Sequence, residues 1–210
     1  MSFFEQAFET VVGHEGGFSK DPADPGNWTG GSVGAGLLRG TNFGISAAAY
    51  PDLDIASLKL ADASAIYRRD YWDRVCGEQF AAPLALLLFD SAVNCGVGRS
   101  VRWLQQALGD TADGAIGQLT LEAMKRASQQ PGGGAMLCAE FLALRMVFMS
   151  NLPTWRRFGL GWTRRLCRLP FRVDRGGKLR RGHKSARRKR SKARRRRRLL
   201  PRPSRRPTPP

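Results

Sequence analysis

The stretch FFEQAFETVVGHEGGFSKDPADPG, residues 3–26, governs how the rest of the chain is read. Phe3, Phe4, Ala7, Phe8, Val11 and Val12 recur at three- and four-residue spacing, which predicts a helix with these side chains on one face. Glu5, Gln6, Glu9 and Thr10 fall mostly on the other. Glu15 follows Val11 by four positions and Val12 by three, so a continuing helix carries it on the buried side. Gly16 and Gly17 are the predicted stop, because glycine takes the left-handed conformation that closes a helix. The chain then runs through Asp21-Pro22 and Asp24-Pro25-Gly26 to Thr41-Asn42-Phe43-Gly44-Ile45, a loop rich in Asp, Gly and Thr.

A carboxyl group at a helix end, facing such a loop, suits cleavage of a glycosidic bond. One carboxylic acid must stay protonated near neutral pH to protonate the leaving sugar oxygen, which requires a partly desolvated site. A second polar group must hold a water or stabilise the oxocarbenium-like transition state. Glu15 is the candidate acid. Asp24 is the leading candidate for the second group, followed by Thr41 or Thr29. Phe18 and Phe43 are candidate faces for sugar rings and Asn94 a candidate polar contact. Trp28, Tyr50 and Trp72 are also aromatic, but at such spacings aromatics pack cores more often than they stack on ligands.

The run HEGGFSKDPADPGNWTGG from His14, with TNFGIS from Thr41, resembles the signature of glycoside hydrolase family 108, bacterial and phage N-acetylmuramidases of lysozyme-like helical fold. The resemblance implies that Glu15 is the essential catalytic acid. An extra stretch, WTGGSVGAGLLRG, separates Asn27 from Thr41, and the family's loop threonine matches Thr41 better than Thr29. The eight residues between Glu15 and Asp24 also resemble the acid-to-aspartate spacing of phage lysozymes. From Phe89, FDSAVNCGVGRSVRWLQQALG and then DGAIGQLTLEAM from Asp113 look like the predicted peptidoglycan-binding region of the family, and RFGLGWTRRL from Arg157 looks like its closing motif. One collinear resemblance therefore covers roughly residues 1–170.

The fold class expected is mainly α: a lysozyme-like helical fold with a small loop or β-hairpin region near residues 18–45, followed by a disordered basic tail. Residues 61–71 are rich in helix formers, with Asp54 or Asp62 as caps. Pro83 opens a helix through Leu84, Leu87, Leu88, Phe89 and Val93. Asn94, Gly96 and Gly98 mark a turn. Val101 to Leu108 restart helical periodicity until Gly109, Asp113-Gly114 is a turn, and residues 117–127 and 135–149 read as further helices. The domains expected are 1–84, a catalytic region; 85–170, a helical peptidoglycan-binding region completing the same globule; and 171–210, the tail.

Charge divides the chain sharply. Residues 1–170 hold 16 Lys/Arg and 16 Asp/Glu, whereas residues 171–210 hold 19 Lys/Arg against one acid, Asp174, so the net charge of +18 belongs entirely to the tail. Like-charge repulsion, prolines and few apolar residues predict that this tail stays unfolded when free. Its expected partners are anionic envelope polymers or lipids, with no specific nucleic acid.

Cys76, Cys95, Cys138 and Cys167 lack paired spacing and His14 and His183 are the only histidines, so no metal site and no cofactor are expected. The cysteines read as buried thiols made in a reducing cytoplasm. Met1-Ser2-Phe3-Phe4-Glu5 has no signal-peptide pattern, and the apolar block Phe80 to Phe89, read as the longest, is too short to span a bilayer. The expectation is an endolysin-like enzyme made in the bacterial cytoplasm and reaching the wall by a holin-type or dedicated route. Its predicted reaction is hydrolysis of the β-1,4 bond between N-acetylmuramic acid and N-acetylglucosamine. The rival readings are a non-catalytic peptidoglycan-binding or secretion-accessory protein, and a polyanion or nucleic-acid binder acting through the tail.

Overall fold

A computed structural model of the chain describes residues 1–13 and 17–170. The tail 171–210 lies outside the described residues, and so does the expectation of disorder placed on it. Among the described residues the architecture is mainly α, with seven α-helices and one two-stranded antiparallel sheet, a lysozyme-like helical fold with a hairpin inserted after the first helix.

Helix α1 spans Phe3–Val11. Its start is fixed by a reciprocal cap: the Ser2 hydroxyl accepts the Glu5 N–H at 3.2 Å, and the Glu5 carboxylate accepts the Ser2 N–H at 2.7 Å. Its end differs from the sequence expectation. Gly13 adopts φ +73° and donates its N–H to the Phe8 carbonyl, so the helix closes before Gly16 and Gly17. The apolar period continues through Val12, but a left-handed glycine two residues after Val11 overrides it. Glu15 therefore follows the end of α1 in the chain, and the expectation that it lies on the buried side falls outside the described residues.

The segment after Gly17 is held by backbone pairing. Ser19 and Thr41 exchange N–H···O bonds of 2.8 Å in both directions. Thr41–Asn42 (β1) pairs with Ile45–Ser46 (β2), Thr41 opposite Ser46. Phe43 and Gly44 make the turn at φ +50° and +77°; two consecutive positive φ values suit the right-handed twist of a tight hairpin. The extra stretch forms a second finger of its own, with Trp28 bridged to Leu38.

Helix α2, Leu60–Tyr67, begins where the Asp62 carboxylate accepts the Lys59 N–H at 2.9 Å. It widens into one π-helical turn, Arg68–Trp72, which the sequence expectation of one helix over 61–71 did not foresee. Helix α3, Ala82–Cys95, has Pro83 in its first turn, and every side chain from Leu84 to Ala92 is buried. It is the central helix, with α1, α4 (Val97–Ala107) and α6 (Gly133–Ser150) packed around it. Gly96 turns the chain at φ +90°, whereas Asn94 lies in the last turn of α3 and Gly98 in the first of α4. Helices α5 (Gln118–Gln129) and α7 (Trp155–Arg168) complete the globule.

An aromatic cluster joins α1 to α3. Phe4 lies 5.6 Å from Trp72, Trp72 packs edge-on to Phe89 at 5.5 Å, and Phe8 lies 5.5 Å from Tyr67. Such pairs contribute about 0.5–1.5 kcal/mol each beyond area burial. Trp72 is thus a core residue. The longest apolar helix is α6 rather than the Phe80 to Phe89 block, and by length and composition it could cross a membrane. Here its stripe Leu137, Cys138, Phe141, Arg145 and Met149 is buried in the globule, with Arg145 ion-paired there, while Met136 and Val147 on the rest of its surface are exposed. The cysteines also depart from expectation: Cys138 is buried, Cys76 and Cys95 are half-buried, and Cys167 is exposed. Cys167 sits on the exposed side of α7 among Arg164, Arg165 and Arg168, a charged setting in which an exposed thiol is unsurprising.

Candidate active site

Two chemistry-bearing segments are fastened to one support. Tyr67, near the end of α2, contacts Phe8 of α1 with its ring and donates its hydroxyl to the Phe43 carbonyl in the hairpin turn at 3.1 Å. Burial pushes its pKa up to about 12. From the other side, the buried Asn42 amide donates to the carbonyls of Ile55 at 3.2 Å and Leu58 at 3.3 Å. The hairpin is thereby fixed relative to the helix that leads to Glu15. Beside Tyr67, Tyr71 stacks at 5.3 Å, and the Tyr50 hydroxyl donates to Asp70 at 2.8 Å. Burial and that carboxylate raise the Tyr50 pKa, while the Arg69 guanidinium bonded to Asp70 holds the Asp70 carboxyl below its usual value.

Glu15 lies outside the described residues. Thr41 is placed next to Ser19, four positions beyond Glu15 in the chain. Its hydroxyl makes no hydrogen bond among the described residues, whereas the Thr29 hydroxyl accepts the Leu37 N–H at 2.8 Å and serves the extra finger. Asp24 is exposed and opens the short 3₁₀ turn Pro25–Asn27, with one carboxylate oxygen accepting the Gly26 N–H at 2.9 Å. The buried Asn27 holds this loop by donating to the Asp21 carbonyl at 2.9 Å. Phe18 is 46% exposed and its ring lies against Gly40. Phe43 is half-buried in the hairpin turn and packs against the core. The structure thus brings Phe18, Thr41 and Phe43 to the hairpin. Asn94 is elsewhere: its amide donates to the Asp90 carbonyl at 2.7 Å, and it lines a cavity that includes none of the hairpin residues.

Sequence reasoning missed the charged group that ties the two halves together. Asp90 is fully buried in α3. One oxygen accepts Arg145 Nη1 of α6 at 2.7 Å, and the other accepts Arg165 Nε of α7 at 3.1 Å together with its Nη2. The Ser91 hydroxyl accepts Arg145 Nη1 at 2.8 Å, and Arg165 Nη2 also reaches the Val11 carbonyl at the end of α1 at 3.4 Å. The signal was present: Asp90 is the only charge in its apolar run and Arg145 the only charge in the second half of α6, and a buried charge needs a partner.

A mainly helical globule with a hairpin set between its first two helices is a lysozyme-like scaffold. The family model for Glycosyl hydrolase 108 matches residues 8–96, and that for a Predicted Peptidoglycan domain matches residues 99–167. The solved structure titled "Structure of Brucella abortus SagA" is similar over 80% of this chain and 92% of that one, at 30% identity and a TM-score of 0.64. No curated protein sequence matches at a significant level. The chain belongs to glycoside hydrolase family 108 and is a peptidoglycan hydrolase.

Proposed function

We propose that the enzyme is an N-acetylmuramidase, hydrolysing the β-1,4 bond from N-acetylmuramic acid to N-acetylglucosamine with Glu15 as general acid. Asp24 or Thr41 holds the attacking water or the developing positive charge, and Phe18 and Phe43 offer faces to the sugars. The observation that carries this reading is the pairing of Ser19 with Thr41, which sets a hydroxyl that makes no hydrogen bond among the described residues beside Ser19, four positions after Glu15 in the chain. The hairpin also resists movement, since Asn42 and Tyr67 anchor it, and a general acid gains from a fixed partner. Residues 1–84 carry catalysis and residues 85–170 carry wall binding within the same globule. The cationic residues 171–210 add affinity for anionic envelope polymers, on the strength of the charge partition alone, and an enzyme of this kind needs a holin-type or dedicated route to the wall.

Mass analysis of digested peptidoglycan tests the reaction. Wild type should release fragments with reducing muramic acid ends, and Glu15→Gln, equally well folded by circular dichroism, should lose at least about a thousandfold in rate, the scale of removing an essential proton donor. Peptide fragments, anhydro-muramic ends, or full activity of Glu15→Gln would overturn it.

A further inference from the structure

Between the end of α3, the start of α4, α6 and α7 lies a half-open cavity of about 340 Å³ that the catalytic reading does not use. Its wall joins two kinds of chemistry. Phe148, Met149, Leu152 and Trp162 make it apolar, while Arg99, Arg145 and Arg165 bring three guanidinium groups and Asn94 an amide. Among the described residues no acidic side chain lines it. Asp90, beneath the cavity, is already shared between Arg145 and Arg165.

Arg145 is the informative residue. Only 1% of it is exposed. Its Nη1 is spent on Asp90 and Ser91, yet its Nε–H is buried with no hydrogen-bond partner among the described residues. Leaving such a donor unpaired is destabilising, because its hydration is lost with nothing in exchange. The neighbouring Cys95 is no remedy, since a thiol is a weak acceptor, and burial keeps its proton on. Arg99 is poised at the same cavity, its guanidinium 4.3 Å over the Phe148 ring and its Nη1 on the Cys95 carbonyl. A site with surplus guanidinium donors, a buried unpaired N–H and a small apolar wall is complementary to a planar carboxylate carrying a short alkyl group.

We infer that this cavity is a second ligand site, taking the C-terminal alanyl carboxylate of a peptide stem on the glycan strand. The choice of peptide stem rests on the peptidoglycan reading; the carboxylate chemistry rests on the cavity. Occupation would pair the surplus cations and place the stem's methyl groups against Phe148 and Trp162. Because Arg165 also holds the Val11 carbonyl, the site is mechanically continuous with the end of α1.

The test is a titration of the full chain with N-acetyl-D-alanyl-D-alanine, followed by the Arg145 Nε–H and Trp162 indole N–H resonances. Both should move saturably. The C-terminal amide of the same dipeptide should bind about tenfold more weakly, as loss of a charge-assisted hydrogen bond implies, and so should Arg99→Gln titrated with the acid. Equal shifts with acid and amide, unchanged affinity in Arg99→Gln, displacement by equimolar inorganic phosphate, or no movement of Arg145 Nε–H would each overturn the proposal. No bond cleavage is read, so its outcome is independent of the Glu15→Gln assay.

Discussion

The helical body around α3 and the hairpin segment between α1 and α2 are stabilised by different means. From Leu84 to Ala92 every residue of α3 is buried, and its cohesion is packing plus one buried charged trio. Between Gly17 and Leu58 the buried residues are few, chiefly Asn27, Gly40, Asn42, Ile45, Ala47 and Ile55, and order comes from backbone bonds and amide anchors. The body's cohesion is spread over many packed side chains, whereas the hairpin depends on a few polar contacts. Under the proposed mechanism this division is useful, because the strand that carries Thr41 is fixed in geometry with little mass behind it.

The largest effect should come from breaking the body's charged trio. Asp90→Ala leaves Arg145 buried and unpaired and releases Arg165 from α3, with an expected loss of roughly 3–5 kcal/mol in denaturant unfolding. Asp90→Asn keeps the volume and should recover part of it. A loss under about 1 kcal/mol would mean that packing alone holds α3, α6 and α7 together.

The hairpin's anchors are the next test. Asn42→Ala removes both bonds to the 55–58 segment and takes the amide donor from the buried Ile55 carbonyl and the part-buried Leu58 carbonyl, a cost of about 1–3 kcal/mol. Amide exchange should accelerate at Thr41, Ile45 and Ala47 while α3 stays protected, since the damage is local. Gly44→Ala should act in the same region: its φ is +77° and the new Cβ would meet the Tyr67 hydroxyl at 2.6 Å. About 1–3 kcal/mol of strain is expected, with turnover falling before global unfolding. Uniform acceleration across both regions in either variant would erase the contrast between them.

How much of this was legible in the sequence follows the same line. Helices α3 to α6 are close to where Pro83, Gly96, Gly109 and Gly132 punctuate the apolar pattern, because packing and propensity agree there. The end of α1 was misplaced because Val11 and Val12 keep the helical period while Gly13 breaks the backbone. Within the candidate site, Thr41 and Phe43 can be nominated from a local motif, but the residues that hold them in place cannot. Tyr67 is 24 residues from its partner Phe43, and Asp90 is 55 and 75 residues from Arg145 and Arg165. Local spacing carries no signal for pairs that only the fold brings together.

The finest probe of the hairpin's support is alkaline pH. Tyr67 is buried and its pKa is raised to about 12, against about 10 in an unfolded chain. A raised folded pKa means that the unfolded state releases the proton first. The stabilisation by neutral Tyr67 is therefore complete below about pH 10 and disappears as pH rises toward 12. Tyr67→Phe keeps the ring on Phe8 and removes both the ionisation and the bond to the Phe43 carbonyl. At neutral pH it should cost about 0.5–1.5 kcal/mol, and between pH 10 and 12 its stability should fall less steeply than that of wild type. Parallel pH profiles for the two proteins would show that the hydroxyl is not what couples α1's neighbour to the hairpin turn.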